Sequence, residues 1–225
     1  MGWGGWVLAL SQALTPLPRS VAAAVGVLTL VGFVSEGIWR LARHISVIAH
    51  EGAHATAGRV MGGRVTGVDL QSNADGETRV AGLGGLAYII YLFVGYLGPS
   101  ACGLAAAGLI ALGYIKAVLW LGVIFIAVML LVVRNLFGVV SVVLNGGLLF
   151  LALRYGNANL QTFVAYSLSW FMLFAGVRWV LSDHIGAGDA FLLRGATYVP
   201  RIVWFAMWLA GSIAALWLGS RLLLR

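Results

Sequence analysis

Of the 225 residues, 61% are hydrophobic and 9% are charged, 14 basic against 7 acidic, with a mean hydropathy of +0.98. A soluble domain carries about 25% charged residues, and this chain has too few to cover a water-facing surface. That excludes a soluble enzyme, a nucleic-acid-binding protein and a disordered chain, and the apolar runs point to a polytopic membrane protein with the lipid bilayer as its partner. The net charge of +7 does not revive a nucleic-acid partner. The basic residues fall mostly singly at the ends of apolar runs, where Lys and Arg reach lipid headgroups. The single cysteine, Cys102, can form no internal disulfide.

Residues 1–20 read as an interfacial lead-in, apolar and aromatic but without the basic start of a secretory signal. Apolar periodicity then predicts about seven transmembrane helices. The first spans Val21 to Trp39 and ends at Arg40 and Arg43. The second spans His44 to Met61, stops at Gly62-Gly63, and carries His50, Glu51 and His54 in an otherwise apolar setting. Residues 64–81 alternate around Asn73-Ala-Asp-Gly76 and read as a β-hairpin. The run from Gly82 to Gly113 is long and broken by Gly98-Pro99, so it is a kinked helix or a re-entrant piece plus a helix. Further spans are expected at Ala117–Val133, Leu136–Leu153, Leu160–Leu181 and Pro200–Leu218, with a polar segment at 182–197. The fold class is therefore all-α and membrane-embedded apart from the hairpin, in one integral domain over 1–225. The distribution of basic residues weakly favours a cytoplasmic N-terminus.

His50-Glu51-Gly52-Ala53-His54 is an H-E-x-x-H sequence. Positions i and i+4 share a helix face, so two imidazole nitrogens can converge on one ion, for which zinc is the natural choice. Glu51 is displaced around the helix from His50 and is placed to take the proton of a water molecule. Gly52 and Ala53 are small enough for a helix or a substrate backbone to approach. The competing reading is a structural His/Glu cluster satisfied by neighbouring helices. Ionisable residues inside a membrane are expensive, which favours the functional one.

A third ligand has to come from elsewhere. Val60 stands where a third histidine of an extended motif would fall, and no Glu follows Glu77. Asp69 and Asp75 are explained by the hairpin and its turn. The remaining candidates are Asp183, His184 and Asp189 in the late polar segment, and spacing alone does not separate them.

The combination resembles the site-2 protease family of intramembrane zinc metalloproteases, in its compact bacterial peptidase-like branch. The resemblance is carried by the HEGAH helix, the hairpin after it, Gly95-Tyr96-Leu97-Gly98-Pro99-Ser100, Arg134-Asn135-Leu136-Phe137-Gly138 and Gly188-Asp189-Ala190. It implies a multi-pass protein of a bacterial plasma membrane that cleaves a single-span membrane protein or peptide. It also implies Zn²⁺ as cofactor, with His50, His54 and Asp189 as metal ligands and Glu51 as the catalytic base. Asn135 is a candidate for contact with the substrate. Ala190 replaces the family's usual Gly, and no Asn-x-x-Pro precedes the aspartate. A non-proteolytic transporter-like or scaffold protein that keeps a metal or proton site is the alternative. The Gly58–Gly62 spacing fits contact between chains or packing within one, so the oligomeric state stays open.

Overall fold

The computed structural model describes residues 14–73, 75–182 and 188–225. Among the described residues, eight helices and one hairpin follow in chain order: α1 (Arg19–Val34), α2 (Glu36–Val60), β1 (Arg64–Leu70), β2 (Gly76–Ala81), α3 (Gly85–Ala111), α4 (Ile115–Leu130), α5 (Leu136–Tyr155), α6 (Ala158–Ser182), α7 (Asp189–Thr197) and α8 (Arg201–Leu223). The interfacial reading of residues 1–20 falls largely outside the described residues.

Among the described residues seven apolar helices form close to where the periodicity placed them, but the count of seven spans is not confirmed. Four helices, α3, α5, α6 and α8, are long and apolar enough to cross a membrane alone. A fifth span results if α1 and α2, bent by 104° at their break, count as one. The shortfall has two causes. At 1.5 Å per residue the 16 residues of α1 and the 16 of α4 each cover about 24 Å, short of a hydrocarbon core of about 30 Å. In α2, the titratable residues dilute the apolar run.

The break between α1 and α2 lies at Ser35, not at Arg40 and Arg43. Ser35 is extended (φ −71°, ψ 116°), and Glu36 opens α2, where a carboxylate favours the positive end of the helix dipole. The two arginines are good helix formers and continue the helix. Arg178 of α6 fastens the elbow, donating to the Phe33 carbonyl at 2.6 Å and to Glu36 at 2.6 Å while lying over the Trp39 ring.

The Gly98-Pro99 pair does not divide its segment. One helix, α3, runs through Pro99, which settles the choice against a re-entrant piece. Gly98 sits against α2, where a β-carbon would come within 2.6 Å of the Ala49 carbonyl and 2.8 Å of the Ala53 β-carbon. Association in lipid depends on such close backbone approach. Helix α3 is thereby held against α2 on one side and packs on α6 and α8 on others.

The hairpin forms as read, with β1 and β2 antiparallel, Val68 opposite Thr78 and Leu70 opposite Gly76. Asn73 and Asp75 bond each other across its turn. Sequence reading missed a third strand-like piece. Val68 donates to the Val132 carbonyl and accepts from Arg134 N–H, each at 2.9 Å, so the segment after α4 covers the outer edge of β1. With Val68's backbone groups committed to that side, Val68 and Thr78 form a non-hydrogen-bonded pair, and Thr78's own N–H and C=O point away from β1. The other edge of β2 has no strand partner among the described residues, and there the Thr78 carbonyl accepts from the Tyr91 hydroxyl.

Candidate metal centre

The burial of α2 against α3 and the hairpin sets the geometry of the motif. Glu51 and His54 are buried, and His50, one turn before His54, faces a cavity of about 740 Å³. The cavity is walled by α2, β2, the N-terminal half of α3, the end of α6 and the start of α7. Gly52 and Ala53 face away from it, against Phe125 and Gly98 respectively, so their small size serves helix packing.

His50, His54 and Asp189 meet at one point. The Nε2 atoms of the two histidines are 3.1 Å apart, and Asp189 Oδ2 lies 3.0 Å from His54 Nε2 and 3.5 Å from His50 Nε2. Tetrahedral bonds of about 2.0–2.1 Å to one ion put ligand atoms roughly 3.3 Å apart, which this triangle matches. Among the described residues, this is the group of His, Cys, Asp and Glu side chains whose ligand atoms converge closely enough to hold a metal. Asp183 and His184, the other candidates for third ligand, lie outside the described residues.

The environment of His54 selects its working nitrogen. Its Nδ1–H donates to the Tyr91 carbonyl of α3 at 2.7 Å, leaving Nε2 as an acceptor in the neutral ring. That lone pair faces a carboxylate oxygen and the other histidine's Nε2. Two imidazole nitrogens and a carboxylate oxygen this close together suit a shared cation, so the donor set fits a metal. The bond to a backbone carbonyl is also the usual outer support of a metal-binding histidine. Gly95 allows it: a β-carbon there would run into the His54 ring, with Cδ2 only 2.9 Å away. His50 packs edge-on against Tyr96, with centroids 4.9 Å apart, and lies beside Trp179, whose indole N–H donates to Ser46 at 2.8 Å.

Glu51 accepts a 2.6 Å hydrogen bond at Oε2 from the Thr78 hydroxyl, and Tyr91 O–H donates to the Thr78 carbonyl. Gly76 lies against the same carboxylate, and a β-carbon there would come within 2.7 Å of Glu51 Cγ. Sequence reading gave Thr78, Tyr91, Gly76 and Gly95 no role in the site, although Gly76 lay in the hairpin turn and Gly95 in a run that carries the resemblance. Each acts through a fold contact, for which residue type and spacing carry no signal.

Asn135, expected near substrate, does not line the cavity. Its side-chain oxygen accepts from Leu70 N–H at 3.1 Å and its amide donates to the Leu70 carbonyl at 2.5 Å, so both its polar groups are spent holding the end of β1. Of the other acids, Asp69 pairs with Arg79 at 2.6 Å and Glu36 with Arg178 at 2.6 Å.

The family model for peptidase M50B-like proteins matches residues 23–219, from within α1 to within α8, and takes in every residue of the triangle. Searches of curated proteins and of solved structures returned no match. The family match and the converging His, His and Asp agree, and the chain belongs to the peptidase M50B-like family, within the site-2 proteases.

Proposed function

We propose that the chain is an intramembrane zinc metalloprotease that hydrolyses a peptide bond of a single-span membrane substrate. The observation that carries this reading is the 3.0–3.5 Å triangle of His50, His54 and Asp189 beside a buried Glu51. Two nitrogens and a carboxylate oxygen form a zinc-type donor set with a position left open. A bound zinc supplies Lewis acidity to the scissile carbonyl and brings the pKa of a water towards neutral.

The remaining steps belong to the chain. Glu51 takes the proton of the attacking water as the oxygen–carbon bond forms, then passes it to the leaving nitrogen as the carbon–nitrogen bond breaks. Peptide bonds in a spanning helix are shielded by their own hydrogen bonds, so the substrate has to unwind before it can react. The outer edge of β2 borders the cavity, and apart from the Thr78 carbonyl, which Tyr91 takes, its backbone groups are there for an extended segment to pair with, as in β-strand addition. The cell membrane is the setting this reading requires.

Cleavage of a single-span peptide by the detergent-solubilised, zinc-loaded chain tests it. Wild type is expected to cut, and Glu51→Gln to be slower by about 10²–10⁴-fold, the usual worth of a general base. Cleavage unaffected by Glu51→Gln would remove the proposed base. A wild type that binds metal without cutting would favour the non-proteolytic alternative.

A further inference from the structure

The hairpin does more than border the cavity: it reaches the buried carboxylate directly. Glu51 is 3% exposed and Thr78 7%, and the Thr78 hydroxyl lies 2.6 Å from Glu51 Oε2 and 3.2 Å from the Glu51 backbone carbonyl. Carboxylate–hydroxyl bonds of this length are charge-assisted and stronger than neutral ones. The other oxygen, Oε1, occupies the space a side chain at Gly76 would fill. Tyr91 closes the arrangement, since its hydroxyl bonds the Thr78 carbonyl and its own carbonyl holds His54.

We infer that Thr78 is a positioning residue for Glu51, anchoring Oε2 so that Oε1 is the oxygen that receives the water's proton. The inference rests on the proteolytic reading above and adds a role for β2 within it. Thr78's hydroxyl holds the base while its backbone N–H lies on the edge offered to substrate, so one residue joins the substrate-binding edge to the base. Gly76 contributes by lacking a side chain, because any β-carbon would push the carboxylate off its position.

The test uses the full chain in detergent with zinc bound and a single-span peptide as substrate. Thr78→Val keeps the branched shape and removes the donor, whereas Thr78→Ser keeps the donor. Thr78→Val is expected to lower kcat by about 10–100-fold, as misplacement of a reacting group does, with KM changed less than about 3-fold and zinc content as in wild type. Thr78→Ser is expected to stay within about 3-fold of wild-type kcat, and Gly76→Ala to lower kcat as Thr78→Val does. A Thr78→Val enzyme with wild-type kcat would overturn the inference. So would a Thr78→Ser enzyme as slow as Thr78→Val, or loss of zinc together with activity, since either assigns Thr78 to packing alone. Failure of the proteolytic reading is seen separately, as a zinc-loaded wild type that does not cut the peptide, and failure of the proposed base as cleavage that Glu51→Gln leaves unchanged.

Discussion

His54 and Tyr91 are joined twice over, by a 2.7 Å hydrogen bond from the imidazole Nδ1–H to the Tyr91 carbonyl and by rings with centroids 4.9 Å apart. The first bond uses backbone and survives any side-chain change. Tyr91→Phe therefore separates the two supports of the site. It removes the hydroxyl bond to the Thr78 carbonyl and keeps the histidine's anchor. The expected result is unchanged zinc stoichiometry with a stability loss of about 1 kcal/mol, the net worth of one hydrogen bond. Elemental analysis and thermal unfolding in detergent measure both, and loss of the metal would contradict the assignment of His54's support to the carbonyl.

Gly95→Ala acts on the same histidine from the other side. The added methyl meets the His54 ring, which cannot retreat while Nδ1 is tied to Tyr91. Zinc affinity, measured by competition with a chelator, is expected to fall at least about 10-fold, the scale of a disturbed supporting contact in a metal site. An affinity equal to wild type would mean that α3 moves away freely, contrary to its packing on α2 at Gly98.

Asn135→Ala leaves two backbone groups of Leu70 without their partner. The expected cost is about 1–3 kcal/mol, with faster hydrogen exchange at Leu70 and metal content unchanged. If the variant instead raised KM for the peptide and left the hairpin's exchange untouched, the residue would be a substrate contact after all.

The sequence legibly carried what local chemistry determines. Helix periodicity located the seven apolar helices, the Asn73–Gly76 turn located the hairpin, and the i, i+4 spacing of His50 and His54 put both imidazoles on one face. Scarcity helped: with 7 acidic residues in the chain, few were left to complete a metal site. What stayed hidden depends on elements distant in sequence. The bond between Thr78 and Glu51 joins residues brought together only when β2 lies on α2. Asn135 pairs with Leu70 because the segment after α4 returns to the hairpin. The elbow at Ser35 depends on Arg178, 143 positions away by number, whereas the nearer Arg40 and Arg43 looked like a better boundary. The count of seven spans is not confirmed for a related reason, since hydropathy marks apolar helices without fixing how far each one reaches.

The most direct measurement is the zinc content of the purified chain, compared between wild type, Asp189→Ala and Asp183→Ala. The account predicts about one zinc per chain in wild type and Asp183→Ala, and a marked loss in Asp189→Ala, because structural and catalytic zinc sites need their third protein ligand. Zinc retained in Asp189→Ala but lost in Asp183→Ala would contradict it.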